Sequence, residues 1–141
     1  MPLPNVTPLE TGTISIVVGE QDLASTLDMN GPAPVPPVFA TSRMIALMEF
    51  AASRCIEPLL AEGELSVGVT VDVRHTAATP AGVAVTATAR YLGTEGKLYR
   101  FEVSASDPAG EIGRGLHERA IIERARLVAG AERRRGAAGE P

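Results

Sequence analysis

One segment of this chain has the apolar pattern of a long helix, and it limits the possible folds more than any other feature. Apolar side chains occupy most positions between residues 41 and 60, which leaves almost no polar stripe. Such a helix is expected to be covered by protein on most sides. The pattern predicts a buried helix that begins at Thr41 or Ser42, either of which can cap the first turn, and that ends near Gly63.

The rest of the chain has the pattern of strands joined by short turns. Alternating residues predict strands over 13–18, 67–75, 83–92 and 98–106, and a last strand from 111 to about 128. The proline-rich residues 30–37 are expected to form an extended loop or flap. One helix on an antiparallel sheet defines an α+β domain, and a single helix wrapped by a sheet describes a hot-dog fold.

Length and composition restrict the class of protein further. A chain of 141 residues predicts a single domain, over residues 1–129, with a disordered tail at 130–141. The net charge of -4 disfavours nucleic acid as a partner. With one cysteine and no run of about 18 apolar residues, neither a disulfide nor a membrane span is expected, and a cytoplasmic setting follows.

Glu49 is an acid in the middle of the predicted buried helix. Burying an ionised carboxylate without a partner is costly, and enzymes use such settings to make carboxylates reactive. Glu49 is therefore a candidate catalytic residue, although a neighbouring hydroxyl or arginine could equally satisfy it. Gly68, which interrupts a strand of alternating valines on its polar side, marks a bulge or a close approach of a ligand to the backbone.

Two histidines are the other candidates for acid–base chemistry. His75 follows the valines at positions 67, 69, 71 and 73 on one strand face and directly precedes a loop, so it can reach a cleft or simply bond a backbone carbonyl. His117 lies among alternating charges and is expected to be a half-exposed strand residue. One cysteine and two distant histidines do not form a metal-binding motif, so no metal is expected.

Thr41 and Glu49 cannot act together through a direct contact. Eight helical residues separate them by about 12 Å along the axis and about 80° around it. If both serve one site, either an extended substrate spans them or the site takes residues from two subunits. Thr41 can also act as a helix cap, or as a hydroxyl at the helix N-terminus that binds an anion or oxyanion.

Several segments resemble the fluoroacetyl-CoA thioesterase-like family of the hot-dog superfamily. They are residues 38–42, 47–51, 66–68, 75–80, 107, 111–115 and 117–120. The resemblance implies a homodimer, or a higher oligomer, that hydrolyses a small acyl-CoA thioester without a cofactor, coenzyme A being part of the substrate. It implies catalytic roles for Thr41, Glu49 and His75, and substrate contacts for Gly68 and Phe39. The fluoroacetyl-specific enzyme has two lid phenylalanines before this region, whereas residues 31–37 contain no aromatic.

The expected mechanism is thioester hydrolysis. Glu49 would activate water as a general base or attack the carbonyl itself, His75 would orient the thioester or protonate the leaving thiolate, and Thr41 would position a reacting group. Backbone N–H groups near Gly68 or at the helix N-terminus would stabilise the oxyanion. The alternatives are a non-catalytic protein that binds acyl-CoA or another small ligand, and a hydratase that acts on enoyl-CoA.

Overall fold

The computed structural model describes residues 5–27 and 34–138 and contains five strands and two α-helices in that range. Three short 3-10 turns lie at Glu20–Asp22, Ala24–Thr26 and Glu57–Leu59. The main elements are β1 (Thr11–Val17), α1 (Thr41–Ile56), β2 (Glu64–His75), β3 (Ala84–Glu95), β4 (Leu98–Asp107), β5 (Gly110–Glu123) and α2 (Arg124–Ala138).

The five strands form one sheet in the order β1-β3-β4-β5-β2, and every neighbouring pair is antiparallel. Helix α1 contacts all five strands, so the sheet surrounds one side of it. This is the α+β architecture that the sequence predicts. Strand β2 stands at an edge of the sheet, and its free side is the one that a second chain could extend.

The core lies between α1 and the sheet. Met44, Met48 and Ile56 from the helix are at most 1% exposed, and they pack against the inward residues of the central strands, which include Phe101 and Val103. Burial of such side chains stabilises a fold by about 1.5–3 kcal/mol each. The helix is therefore held firmly, and polar residues along it are placed by apolar neighbours on both sides.

The helix is shorter than the sequence predicts, and its first residue has a different role. It ends at Ile56 instead of near Gly63, because Pro58 has no N–H to donate and the chain turns into a 3-10 turn there. Ala40 occupies the N-cap position, and no side chain caps the helix. The predicted cap by Thr41 or Ser42 is therefore wrong, and the Thr41 hydroxyl is available for another contact.

The C-terminal region also differs from the prediction. Strand β5 ends at Glu123 and not near Val128, and helix α2 follows at once. Its residues up to position 137 are largely exposed, and part of the segment for which composition predicts disorder is thus helical; residues 139–141 lie outside the described part of the chain. The domain limit at residue 129 stays a prediction.

Residues 34–37 of the proline-rich segment have no regular hydrogen-bonded structure, and residues 30–33 lie outside the described part of the chain. Within residues 5–27 and 34–138, neither helix has the length and apolarity needed to cross a bilayer.

Candidate active site

Thr41 and His75 form a direct pair. Thr41 is the first residue of α1, and His75 is the last residue of β2, opposite Gly113 of β5. Thr41 Oγ1 lies 2.8 Å from His75 Nδ1, which is a hydrogen bond in either direction. The hydroxyl that does not cap the helix is thus held against an imidazole, an arrangement in which a histidine can accept a hydroxyl proton.

The second nitrogen of His75 is unused within the described residues. His75 Nε2 is buried and has no hydrogen-bond partner there. Burial lowers the pKa of His75, so the neutral ring is favoured. A neutral imidazole with one unpaired nitrogen can donate or accept a proton, depending on its tautomer. An interaction with the Ala77 backbone offsets the effect of burial on this pKa in part, and the contact with Thr41 goes beyond the alternative in which His75 only satisfies a backbone carbonyl.

Glu49 has an arginine partner, as one of the two sequence alternatives allowed. Its Oε2 lies 3.3 Å from Nη1 of Arg119 on β5, and the two side chains are 37% and 9% exposed. Glu49 is therefore only half-buried, although it belongs to a helix that is largely buried. Its carboxylate faces solvent on one side and a fixed cation on the other.

Arg119 is held by Ser66 on the neighbouring strand. Its Nε donates to the Ser66 hydroxyl and its Nη2 to the Ser66 carbonyl, both at 3.0 Å. Burial lowers the pKa of Arg119, and Glu49 opposes that change. Because a guanidinium stays charged in proteins, these bonds fix a positive charge beside Glu49.

Gly68 lies directly under the carboxylate. A Cβ added there would overlap Oε2 of Glu49 and come within 3.2 Å of Cε1 of His117. The β2–β5 register shifts between Gly68 and Thr70, which confirms the predicted bulge, with Val69 as the extra residue. Glycine therefore leaves the carboxylate and the imidazole the space that a side chain would occupy.

The bulge changes which face each valine occupies. Val71 and Val73 pair with His117 and Gly115 on the side that faces α1, whereas Val67 pairs with Ala120 on the opposite side. The prediction of one continuous valine face is therefore wrong. The same shift brings Gly68 to the helix side, although simple alternation places it on the polar side.

An open cavity of about 350 Å³ adjoins Glu49. Phe50, which lines it, is 61% exposed, an unusual state for a large aromatic side chain in a single chain. The lining residues come from α1, the following turn and the β2–β5 edge: Ala46, Glu49, Phe50, Ser53, Glu57, Leu60, Ser66 and Arg119. Among the described residues, no three His, Cys, Asp or Glu side chains are grouped as a metal ion would require.

Phe39, a candidate substrate contact, lies in the core. It is 1% exposed, packs in the cluster around α1, and donates its backbone N–H to the Thr79 carbonyl at 2.8 Å. It does not line the cavity beside Glu49. Its contact with substrate stays a prediction.

The candidate residues fall into two groups within one chain. Thr41 contacts His75, and Glu49 contacts Gly68 and Arg119, but no hydrogen bond or ion pair in the described part of the chain joins the groups. In the β2–β5 register Gly68 and His75 lie opposite Arg119 and Gly113, six ladder positions apart, which corresponds to about 20 Å. The separation that helix geometry predicts for Thr41 and Glu49 thus holds for their partners as well.

Sequence reasoning missed Ser66 and Arg119 as parts of this region, and it misjudged the burial of His117. His117 is 1% exposed, so the prediction that it is half-exposed is wrong. The available signal was Glu49 itself, since a partly buried acid requires a cation and Arg119 lies on a strand next to the glycine strand.

Solved structures identify the class of protein. A fluoroacetyl-CoA thioesterase superposes with a TM-score of 0.85 at 39% identity, over 92% of this chain and 99% of the other. A thioesterase superfamily member from Thermus thermophilus gives a TM-score of 0.81 at 31% identity, over 93% of this chain and 94% of the other. A hot-dog-like protein from Thermanaerovibrio acidaminovorans gives a TM-score of 0.76 at 24% identity, over 90% of this chain and 91% of the other, and this similarity supports the fold alone. The fold is therefore a hot-dog of the thioesterase type.

Sequence comparison narrows the class to a family. The model of the fluoroacetyl-CoA-specific thioesterase family matches residues 18–125, and the chain belongs to that family. The fluoroacetyl-CoA thioesterase of Streptantibioticus cattleyicolor is 50% identical over 90 residues, which is 64% of this chain. The match spans 65% of that protein's own length.

Proposed function

We propose that this protein hydrolyses a small acyl-CoA thioester to the free acid and coenzyme A. One observation carries the proposal: Arg119 holds the half-buried Glu49 carboxylate over Gly68 at the edge of an open cavity. A structural acid would not need a glycine beneath it and a solvent-open side. Family membership supports the same reaction class.

Glu49 is the proposed base or nucleophile. Arg119 stabilises its negative charge, so the carboxylate can take a proton from water as water attacks the thioester carbonyl. It can equally attack the carbonyl, expel the thiolate and form an anhydride that water then cleaves. Both routes give one acid and one thiol, and the geometry within one chain is compatible with either.

His75 and Thr41 are proposed to act on the other side of the thioester. The neutral His75 ring can orient the thioester or deliver a proton to the leaving thiolate, and the Thr41 hydroxyl, 2.8 Å away, positions the ring or a reacting group. Backbone N–H groups near Gly68 or at the start of α1 would receive the oxyanion, each worth about 3–4 kcal/mol in other enzymes.

We further propose that the site is completed by a homodimer. The free edge of β2 carries Val69 and Val71, which are 51% and 43% exposed. Antiparallel pairing of two β2 strands about a two-fold axis at Asp72, with Val69 left out of the ladder as it is in the β2–β5 register, would place Gly68 opposite the partner's His75. Glu49 of one protomer would then face the Thr41–His75 pair of the other, which joins the two groups.

Mixed dimers test this arrangement. Thr41→Ala and Glu49→Gln each remove one group, and a mixed dimer of the two variants keeps one intact composite site. Co-expression should restore about a quarter of wild-type activity from two inactive variants, since half of the dimers carry one site of two. A stable active monomer in light scattering, or no restoration, contradicts the proposal.

The coenzyme A phosphates require a cation, and Arg43, Arg74, Lys97 and Arg114 are basic residues that could supply it. Arg43 and Arg114 are already paired with carboxylates. Arg74 and Lys97 have no ion pair among the described residues. We favour Arg74, because it adjoins His75.

The proposed acyl group is small and otherwise unspecified. The relative from Streptantibioticus cattleyicolor is named for fluoroacetyl-CoA, but this chain has no aromatic in residues 31–37, where the fluoroacetyl-specific enzyme has its lid. A cytoplasmic location, expected from the single cysteine, belongs to the same proposal.

A panel of acyl-CoA thioesters, assayed for free thiol, tests the function. Wild type should release coenzyme A from short-chain members, Glu49→Gln should lose most turnover, and Glu62→Gln on an exposed loop should retain it. Tight binding without thiol release would instead indicate a binding protein. Hydration of an enoyl-CoA without thiol release would indicate a hydratase.

A further inference from the structure

His117 is a buried titratable side chain that the proposed reaction does not use. It lies on β5 two residues before Arg119 and is 1% exposed. Its ring makes two polar contacts: Nδ1 lies 2.7 Å from the Thr70 carbonyl oxygen, and Nε2 lies 3.2 Å from Arg119 Nη1. Both ring nitrogens are therefore satisfied inside the protein.

These two partners determine the protonation state of the ring. A carbonyl oxygen can only accept a hydrogen bond, so Nδ1 must carry a proton. A guanidinium can only donate, so Nε2 must be unprotonated. His117 is thus neutral with its proton on Nδ1, and each contact leads to the same assignment.

The ring contacts both features that surround the Glu49 carboxylate. Through Nδ1 it bonds Thr70, the residue directly after the extra residue of the bulge, and its Cε1 is 3.2 Å from the Cβ position of Gly68. Through Nε2 it accepts from the same Nη1 that donates to Glu49. A single side chain therefore links the bulge to the cation.

Burial and the neighbouring cation oppose protonation of the ring, whereas two acids favour it. Arg119 on the same strand is the nearest cation, while Glu49 on α1 and Glu118 on β5 are the acids that interact with it, and Phe101 on β4 supplies an aromatic neighbour 6.4 Å away between centroids. Burial lowers the pKa of His117, and the bond to the Thr70 backbone offsets this in part. A protonated Nε2 would point an N–H at a guanidinium and displace it.

We infer that His117 is a positioning residue: its neutral, Nδ1-protonated ring holds Arg119 against Glu49 and secures the bulge that brings Gly68 beneath that carboxylate. This inference rests on the proposed role of Glu49 for its effect on turnover. The arrangement of hydrogen bonds is independent of which acyl group is cleaved.

Two amide substitutions separate the two bonds. His117→Gln can place an oxygen where Nε2 accepts from Arg119, whereas His117→Asn can place an N–H where Nδ1 donates to Thr70. We expect Gln to retain activity within a few-fold and Asn to lower kcat by about tenfold or more, because Arg119 and the carboxylate shift. His117→Phe, which keeps the ring volume but neither bond, should resemble Asn.

Two readouts would not change if His117 were merely structural: the pH dependence of kcat, and the protonation state of the two ring nitrogens. Wild-type kcat should fall at acidic pH as Nε2 is protonated, and His117→Gln should lose that component. Glu123→Gln, at the exposed end of the same strand, should keep both kcat and the acidic limb. Thermal unfolding of each variant verifies that it is folded.

Nitrogen NMR of the labelled imidazole tests the inference without any substrate. A protonated Nδ1 and an unprotonated Nε2 at neutral pH support it; the opposite tautomer or a charged ring overturns it. An equal loss of kcat in folded His117→Gln and His117→Asn would also overturn the inference. If wild type cleaves no thioester, the proposed function fails, and the tautomer alone then decides how His117 holds Arg119.

Discussion

Replacing Gly68 by alanine adds one methyl group at the point where the backbone, the carboxylate and His117 meet. The new Cβ would overlap Oε2 of Glu49, with Cδ of the same side chain at 3.4 Å and Cε1 of His117 at 3.2 Å. The carboxylate is the far end of a flexible, 37% exposed side chain, so it can move aside. The backbone does not need to move, and we expect Gly68→Ala to fold.

The expected cost falls on activity and not on stability. To reach van der Waals distance the carboxylate must shift by about 1 Å, a displacement that can lower turnover by about 10²-fold in an active site. The same shift lengthens the 3.3 Å contact between Glu49 and Arg119. Alanine in place of glycine in a strand recovers about 0.5–1 kcal/mol of backbone entropy, so the net change in unfolding free energy should stay within about 1 kcal/mol.

A double-mutant cycle isolates the cause. Thiol release is measured for Gly68→Ala, Glu49→Gln and the double variant, with thermal unfolding of each. If the methyl group acts by displacing the carboxylate, Gly68→Ala should reduce activity far less once Glu49 is already glutamine. An equal reduction in both backgrounds, or full activity of Gly68→Ala, refutes the reasoning.

Two further predictions concern protonation. Burial lowers the pKa of His75 and His117 from the ordinary value of 6.5, so the unfolded chain binds more protons than the folded chain below that pH. The free energy of unfolding should therefore decrease as pH falls from 6.5 toward the lowered values. Denaturant titrations at several pH values measure this change, and a flat profile contradicts it. The Thr79 hydroxyl donates to Asp107 at 2.8 Å and is the main cause of the lowered pKa of that carboxyl. Thr79→Val should raise the Asp107 pKa in an NMR titration, and an unchanged value refutes this cause.

The fold was predictable from sequence because its elements have strong local patterns. The apolar helix and the alternating strands define one helix on an antiparallel sheet, and the glycine of β2 indicated a bulge. The helix end was missed because the apolar pattern continues past Ile56 to Leu60, although Pro58 interrupts its hydrogen bonding. The helical segment after Glu123 was missed because weak alternation continued beyond the last strand pairing.

The site was predictable only in part, because its contacts depend on pairing between distant strands. Glu49 was recognisable as an acid in an apolar helix, a property of local sequence. Arg119 and His117 alternate with charged neighbours, so nothing local indicates which face is buried. Their orientation follows from the β2–β5 register, and pattern reasoning does not determine that register when a strand contains an extra residue.

The extra residue Val69 also makes this surface sensitive to a change that sequence identity scarcely records. Pairing Val69 with Arg119 would restore a regular ladder, but every residue before it would slip by one position and turn over relative to the residues after it. Val67 would then face Glu49, and Gly68 would face solvent. Deleting Val69, in contrast, would leave Gly68 opposite Arg119, so in an alignment of relatives a gap of one column at this position is compatible with the carboxylate site.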